Sequence, residues 1–384
     1  MRRLRTIDLF SGCGGMALGL KPWTHVAAYC EIEPAAQRTL RKNMREGRLD
    51  AARVHSDVRD FPSVRGQIDL VTMGFPCQDL SGIGARRGFK GQRSVLFYEG
   101  MRVVEQHAPM YILLENVPNI CSMKGVWLPV LQALHRAGYD AKWCVVSAAE
   151  CGAPHLRKRW FLLATKREKS GDDNILSLPP MREAEILQPH WNTAKGWSTR
   201  RENGWEVDVP RMTRDMSPAC VSRIRQCGNI CVPQQAAVAF RILLSGLEGH
   251  ELNPTLFDVS KAPKLAPWGH MFGDEDGRMH VIRCERPSLP STPPRGLRLV
   301  PRPEKSPQSI HQTTPSITKE IIRPLWGTPR AGTLTACRTL TMRSKQDIQT
   351  QMRFEVDTHE AFECRVPNPE YLEWMVGLPR DWTR

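Results

Sequence analysis

The first 165 residues alternate between short apolar runs and stretches with a helical pattern. Apolar runs of strand length cover residues 5–10, 25–31, 69–74, 111–116, 141–148 and 159–164, and helical patterns cover 34–46 and 94–107. Continuous apolar runs are typical of fully buried parallel strands. Strands that alternate with crossover helices form a parallel sheet covered on both faces. The pattern therefore predicts an α/β fold with an open, mostly parallel, Rossmann-like sheet.

After Lys166 this alternation decays. Residues 166–215 are polar with scattered tryptophans, and a helical pattern returns only at 233–247. Ten prolines lie between residues 287 and 329, which is typical of extended loops or a linker. The last residues, 368–384, mix aromatic and apolar side chains and should be packed. The second half is therefore predicted to be more irregular than the first.

The charge of the chain indicates a polyanionic partner. The net charge is +14 over 384 residues, and residues 1–165 alone hold 23 Lys and Arg against 14 Asp and Glu. This half also contains Cys77 and Glu115, which are candidate catalytic groups. A basic excess near such groups is expected when the substrate is a nucleic acid. Charge carried for solubility is the alternative explanation.

The cysteines and the apolar runs set further expectations. Twelve cysteines occur without a repeated Cys-x-x-Cys, and Cys220, Cys227 and Cys231 lack a fourth ligand at normal spacing, so no metal site is expected. No run of eighteen apolar residues occurs, and residues 1–5 lead directly into a strand pattern. We therefore expect no membrane span, no secretory signal and a cytoplasmic protein.

Three successive strand ends carry the groups of a nucleoside site. The glycine-rich stretch 8–15 leaves the first strand and enters a helix, so the backbone can turn tightly and approach a ligand. This stretch lacks the lysine of a phosphate-binding loop. Glu31 ends the second strand and can accept both ribose hydroxyls, and Asp57 can accept from an adenine amino group. A structural turn would explain the glycines alone, but the three positions together fit S-adenosylmethionine.

Two further strand ends carry a nucleophile and a carboxyl group. Cys77 follows the strand at 69–74, and Glu115 ends the strand at 111–116. In an open parallel sheet the carboxyl ends of strands face one crevice, so the pair suits a substrate that is attacked by sulfur while it receives a proton. A buried structural cysteine is the usual alternative for Cys77, and an ion pair or a helix cap is the alternative for Glu115.

These motifs together resemble those of the DNA cytosine-5 methyltransferase family, and the resemblance covers most of residues 5–165. The matching segments are 10–15 (cofactor loop), 76–78 (nucleophile), 115–117 (base protonation), Arg157 with Arg159 (Arg-x-Arg), and 227–233 (Gly-Asn-x-Val-x-Pro). Each motif alone is weak evidence for the family, whereas the ordered set of five motifs is specific to it.

The resemblance implies S-adenosylmethionine as cofactor, double-stranded DNA as substrate, and a target cytosine flipped out of the duplex. Cys77 would attack carbon 6, Glu115 would protonate N3, and Arg159 would hold the carbonyl oxygen of the base. Arg157 would orient its loop or the backbone phosphates. The predicted cofactor-binding residues are Phe10, Ser11, Gly12, Gly14, Gly15, Glu31, Ile32, Asp57, Val58, Leu96 and Asn229.

The chain departs from the family pattern at three places. His155 stands where the family usually has glutamine, and Ile32 stands where a larger side chain often covers the adenine. Residues 368–382 resemble a segment that normally precedes the Gly-Asn element, yet here they follow it. Either the C-terminal half is rearranged or one of the two matches is coincidental. Agreement at several residues in both matches favours rearrangement.

The resemblance also suggests a division of the chain. The predicted parts are a catalytic and cofactor-binding domain at 1–165, a variable or connecting region at 166–217, a segment returning to the cofactor domain at 218–249, a smaller, irregular target-recognition region at 250–366, and a packed C-terminal segment at 367–384. A monomer is expected, with a cognate restriction endonuclease as the candidate protein partner. A phage-borne gene would place the protein in the host cytoplasm.

Three other functions are consistent with parts of the sequence. The same chemistry on tRNA would use a similar catalytic core, although the long region after residue 165 favours a DNA reader. A catalytically inactive DNA-binding relative would not need the complete set of Cys77, Glu115 and Arg159. An enzyme acting on free pyrimidine nucleotides would not explain the basic first half.

Overall fold

The computed structural model describes residues 3–76, 95–151, 153, 155–167, 210, 212–244, 265–274, 276–283 and 366–384. The helices are α1 (Gly15–Leu20), α2 (Pro34–Arg45), α3 (Val95–His107), α4 (Lys124–Arg136), α5 (Pro218–Asn229), α6 (Pro233–Leu244) and α7 (Pro369–Met375). The strands are β1 (Leu4–Leu9), β2 (Thr24–Cys30), β3 (Arg53–His55), β4 (Leu70–Met73), β5 (Tyr111–Asn116), β6 (Tyr139–Ser147), β7 (Lys158–Lys166), β8 (Met212–Thr213), β9 (Gly269–Gly273), β10 (Met279–Arg283) and β11 (Val366–Pro367). None of these helices is both long and apolar enough to cross a membrane.

One open sheet dominates the described residues. Nine strands follow the order β10-β9-β6-β7-β5-β4-β1-β2-β3. Strands β1 to β5 pair in parallel, while β7 is antiparallel to both β5 and β6. The predicted α/β class with an open, mostly parallel, Rossmann-like sheet is confirmed. The six strands expected from apolar runs are present as β1, β2, β4, β5, β6 and β7.

Buried side chains cover the sheet on both faces. On one face, Phe97 of α3 and Trp127 of α4 belong to a core with Ile7, Val71 and Ile112 of the central strands. On the other face, α1 and α6 supply the apolar residues that meet the sheet, and Gly19 allows the two helices to touch, because a Cβ there would collide with the carbonyl oxygen of Pro233. The central strands are therefore covered by packed helices on both faces.

A hairpin from the second half of the chain extends this sheet. Strand β9 pairs antiparallel with β6, and β10 pairs with β9. Two hydrogen bonds join the residues just before β9 to the first half of the chain. The Trp143 indole donates to the Ala266 carbonyl at 2.9 Å, and the Leu265 amide donates to the Cys121 carbonyl at 2.7 Å. Strands β9 and β10, within the predicted target-recognition region 250–366, thus belong to the same sheet as β1 to β7. The division into domains otherwise stays a prediction.

The C-terminal segment packs beside α2 and the loop after β1. Helix α7 contacts α5, and the side chains of Tyr371, Trp374 and Trp382 are buried in one cluster with Cys13 and Leu40 of the first domain. Strand β11 pairs with β8 over two residues. Residues that are far apart in sequence therefore meet around the loop that follows β1.

Candidate active site

The loop after β1 has the backbone of a ligand-binding turn. Phe10, Gly12 and Gly14 have φ angles of 56°, 54° and 90°, in the left-handed region that is costly for residues other than glycine. A Cβ on Gly12 would meet open space, whereas one on Gly15 would collide with the carbonyl oxygen of Cys231. Ser11 donates to the Asp8 carbonyl at 2.7 Å. The predicted loop residues thus form one turn that is open at Gly12 and tightly packed at Gly15.

Glu31, directly after β2, is tied to this loop. Its Oε2 accepts from the amide of Gly12 and its Oε1 from the amide of Glu33, both at 2.7 Å. Burial raises the pKa of this carboxyl group, against the effect of the two amide donors. The next side chain, Ile32, is 66% exposed, so an apolar surface stands beside a carboxylate. This combination suits a nucleoside, with a flat base against Ile32 and hydroxyls toward Glu31.

The other predicted cofactor residues lie close to the same edge of the sheet. Asp57 accepts from the side chain of Arg59, with Nε 3.0 Å from Oδ1, and these donors lower its pKa. The Val58 side chain is buried, and the Val58 carbonyl accepts from Arg102 at 2.8 Å. Leu96 is half-buried against the core. Asp57 would have to share its oxygens with Arg59 to accept from an adenine amino group.

Glu115 and Arg159 form an ion pair at the carboxyl end of the parallel strands. Arg159 Nε lies 2.9 Å from Glu115 Oε1, and their side chains are 15% and 13% exposed. Because β7 runs antiparallel to β5, the first residues of β7 reach the edge where β5 ends. The pair is thus shielded from water but retains an opening. A carboxyl group and a guanidinium held together in this way can act on one polar ring.

The chain that leads to Cys77 passes directly beside this pair. A Cβ on Gly74 would lie 3.5 Å from Glu115 Oε2, and the Asn116 amide donates to the Phe75 carbonyl at 3.2 Å. Cys77 itself lies outside the described residues. The last described residue before it is Pro76. The backbone approaches Glu115 at Gly74, three residues before the cysteine.

Arg157 is placed differently from Arg159. Its side chain is 1% exposed and donates to the carbonyls of Gly228 at 3.0 Å and Ile230 at 2.5 Å. Burial, and then the charge of Arg159, lowers the pKa of Arg157 to about 9. These contacts agree with the loop-orienting role that was one of its two predicted roles, and burial separates it from backbone phosphates. Asn229 lies between Gly228 and Ile230 in the sequence, and it is exposed, as a residue that contacts a cofactor should be.

Asp8 and His155 are buried titratable residues to which the sequence assigned no role. Asp8 at the end of β1 accepts from the Thr72 hydroxyl at 2.5 Å, and burial raises its pKa to about 7. His155 accepts at Nδ1 from the Arg157 amide at 3.3 Å, and its Nε2 lies 3.0 Å from the Met375 carbonyl. A carbonyl can only accept, so Nε2 carries the proton and the ring is neutral. Neither burial nor the distant partner is visible in the local sequence.

We expect His155 to make the fold sensitive to acid. Burial and the charge of Arg157 lower its folded-state pKa from 6.5 to about 3. As the pH falls, the unfolded chain therefore takes up the proton first. The contribution of His155 to the free energy of unfolding is fully present above pH 6.5 and is lost as the pH falls toward 3. By linkage the loss is about 5 kcal/mol for this one group. Urea unfolding at several pH values should give a shallower acid loss for His155→Gln than for wild type, and equal slopes would contradict the assignment.

Among the described residues, no group of three or more His, Cys, Asp or Glu side chains is arranged to hold a metal ion. The described site contains two sets of polar groups at the strand ends. These are the glycine loop with Glu31 and Ile32 on one side and the Glu115–Arg159 pair on the other.

The open, mostly parallel, Rossmann-like sheet, with a glycine-rich turn after β1 and an ion pair between the end of β5 and the start of β7, has the fold of an α/β methyltransferase. Comparison with known proteins names the family. A family model described as C-5 cytosine-specific DNA methylase matches residues 4–207. The chain belongs to this family and is a DNA cytosine-5 methyltransferase, so the resemblance seen in the motifs is confirmed.

Two relatives and one solved structure illustrate the similarity. Type II methyltransferase M.CviJI of Paramecium bursaria Chlorella virus IL3A is 29% identical over 402 residues, covering 98% of this chain and 97% of the relative. Type II methyltransferase M.DsaV of Dactylococcopsis salina is 31% identical over 268 residues, covering 63% of this chain and 74% of the relative. The S. pombe Dnmt2 methyltransferase structure is 26% identical, covers 49% of this chain and 60% of that chain, and has a TM-score of 0.35.

Proposed function

We propose that this protein transfers a methyl group from S-adenosylmethionine to carbon 5 of a flipped cytosine in duplex DNA, through a covalent adduct with Cys77. The observation that carries the proposal is the Glu115–Arg159 ion pair, which lies at 2.9 Å beside the strand end that leads to Cys77. Family membership supports the overall reaction, and the positions of these groups support the individual steps.

The residues around the loop after β1 fit the proposed cofactor. Gly12 leaves open space beside a left-handed turn, Ile32 offers an exposed apolar face, and the Glu31 oxygens retain lone pairs for ribose hydroxyls. Asn229 would complete the site from the second half of the chain, in the position that Arg157 fixes. S-adenosylmethionine supplies an electrophilic methyl group on a sulfonium.

Cys77 starts the reaction in this scheme. Carbon 5 of cytosine is a poor nucleophile while the ring is aromatic, and addition of the Cys77 thiolate to carbon 6 converts it into an enamine carbon. The electrons displaced from the carbon 5–carbon 6 double bond make carbon 5 nucleophilic toward the methyl group. After methylation, loss of the carbon 5 proton expels the Cys77 thiolate and restores the double bond.

Glu115 and Arg159 stabilise the charge that this addition creates. In the adduct, electron density moves toward N3 and the carbonyl oxygen of the base. Glu115, when protonated, donates to N3, and Arg159 donates to the carbonyl oxygen. Their 2.9 Å contact holds both groups in one orientation before the base arrives, so less of the barrier has to be overcome by ordering side chains.

Duplex DNA is the proposed substrate, and the cytosine must leave the stack to reach this pocket. Flipping a base costs a few kcal/mol, which pocket and phosphate contacts offset. The net charge of +14 supports those phosphate contacts. Action as a monomer and pairing with a cognate restriction endonuclease are also proposed, by analogy with the type II relatives.

Methyl transfer from labelled S-adenosylmethionine tests the proposal. Purified protein should label duplex DNA at cytosine carbon 5, and bisulfite sequencing of DNA from expressing cells should give the modified base with its sequence context. Label on tRNA but not on DNA would replace the substrate proposal by the RNA alternative. Label on neither, with cofactor bound, would favour an inactive DNA-binding relative.

A further inference from the structure

The last residues of the chain lie directly on the glycine loop after β1. Trp382 is fully buried, and its indole N–H donates to the carbonyl of Cys13 at 2.8 Å. A Cβ on Gly14 would lie 3.7 Å from Cζ2 of the same ring. One side chain, 369 positions along the chain, thus contacts two successive residues of the loop.

Trp382 is itself held from the side of α2. Asn43 donates through its amide to the Trp382 carbonyl at 3.0 Å, and Arg48 donates to the Arg380 carbonyl at 3.1 Å. Lys42 donates to the carbonyl of Asp381. Three successive carbonyls are therefore engaged by side chains of α2 and the turn that follows it.

On the other side of the tryptophan, Glu373 holds the chain. Its side chain is 0% exposed and its Oε1 accepts from the amide of Thr383 at 2.8 Å and from Arg223 at 3.0 Å. A buried carboxylate with charged and neutral donors is costly to disturb. Trp382 thus has its backbone fixed before and after it, so its indole reaches Cys13 in a defined orientation.

The loop needs support of this kind. The two neighbours of Cys13, Gly12 and Gly14, have left-handed backbone conformations, and so has Phe10. Such conformations persist where the surroundings enforce them. The hydrogen bond to the Cys13 carbonyl fixes the peptide plane between Cys13 and Gly14, and with it the direction of the Gly14 amide, which donates to Ser11 at 2.9 Å.

We propose that Trp382 is a positioning residue for S-adenosylmethionine binding, acting through the carbonyl of Cys13. This inference rests on the proposed role of the loop as the cofactor site. It assigns a function in cofactor affinity to a residue at the opposite end of the chain from the loop. Trp382 does not contact the reacting atoms in this proposal, so its effect should be on cofactor binding and not on the chemical step.

Trp382→Phe in the full-length protein tests the inference, because it removes the indole N–H and keeps an aromatic ring. Titration calorimetry should show about ten-fold weaker S-adenosylmethionine binding, the effect expected when a buried carbonyl loses its donor. Hydrogen exchange at the amides of residues 12–15 should become faster without cofactor. The rate at saturating cofactor should stay within about two-fold of wild type, so that KM changes and kcat does not.

Trp23→Phe is the matched control. Trp23 is 3% exposed, its indole N–H has no partner among the described residues, and it packs against Phe240 with a ring distance of 5.8 Å. This variant should bind the cofactor like wild type although it loses a similar amount of buried surface.

Benzothienylalanine at position 382 covers the case in which Trp382→Phe does not fold, because it has the shape of tryptophan with sulfur in place of the N–H. Weakened binding with this residue supports the inference. Wild-type affinity and wild-type exchange with it would overturn the inference and leave Trp382 as a packing residue. A wild-type protein that binds no S-adenosylmethionine would instead contradict the proposed cofactor, so the two failures are distinguishable.

Discussion

Cys77→Ser is expected to abolish methyl transfer, by at least about 10³-fold, while S-adenosylmethionine binding stays within about two-fold of wild type. Serine has nearly the same size, but its hydroxyl is a far weaker nucleophile than a thiolate, so addition to carbon 6 should fail. The cofactor residues from Phe10 to Gly15 and Glu31 are on other strand ends and should not respond. Single-turnover transfer of a labelled methyl group measures the first effect, and calorimetry measures the second.

A mechanism-based trap checks the same step independently. DNA with 5-fluorocytosine at the target should form a covalent complex with wild type, because fluorine cannot leave carbon 5 as a cation. Cys77→Ser should form none. Cys220→Ser is the control, since Cys220 is in the first turn of α5, at the opposite end of that helix from Asn229. Turnover of Cys77→Ser within a few fold of wild type would remove Cys77 from the mechanism.

Much of the sheet could be predicted because its central strands are continuous apolar runs. Strand β3, which precedes Asp57, does not appear among the apolar runs, since Arg53–His55 has one apolar residue and joins the sheet only by pairing with β2. The hairpin β9–β10 was missed for another reason. Its partner is β6, more than a hundred residues earlier, and a local pattern does not carry information about a pairing at that distance.

Some site residues could likewise be predicted from the local sequence, whereas others depend on distant segments. Glu115 was predictable because it ends an apolar run, and the polar end of a buried strand is a local property of the sequence. Arg157 could be predicted only through the family motif, because residues 157–159 alone have the pattern of a solvated basic turn. The carbonyls that accept from Arg157 lie 71 and 73 positions later. Roles that depend on burial by distant segments, such as those of His155 and Trp382, require the folded structure.

One relative matches this chain along nearly its whole length. M.CviJI aligns over 98% of this chain and 97% of its own length. The C-terminal segment also meets the Gly-Asn element in space, because Gln234 of α6 donates to the Gly377 carbonyl at 3.3 Å. Both matches to the family pattern therefore fall on segments that pack together, and the rearrangement of their order stays a prediction.

Glu115→Gln is expected to reduce turnover by about 10²- to 10⁴-fold, the range for loss of a general acid. The amide preserves the shape of the side chain but cannot protonate N3, and it also removes the negative partner of Arg159 at 2.9 Å. Arg159 would keep its bond to the Lys158 carbonyl at 2.8 Å, so its own position should change little. The loss should therefore fall on the chemical step, with base flipping retained.

Two measurements separate these effects. Fluorescence of 2-aminopurine at the target position should rise on binding to Glu115→Gln as it does with wild type, because flipping does not require the acid. Covalent trapping on 5-fluorocytosine should slow in parallel with turnover. Glu105→Gln, which removes an exposed carboxylate of α3, is the matched control and should have wild-type activity. If Glu115→Gln turned over within about three-fold of wild type, proton transfer to N3 would have to come from water or another group, and the Glu115–Arg159 pair would have a structural role only.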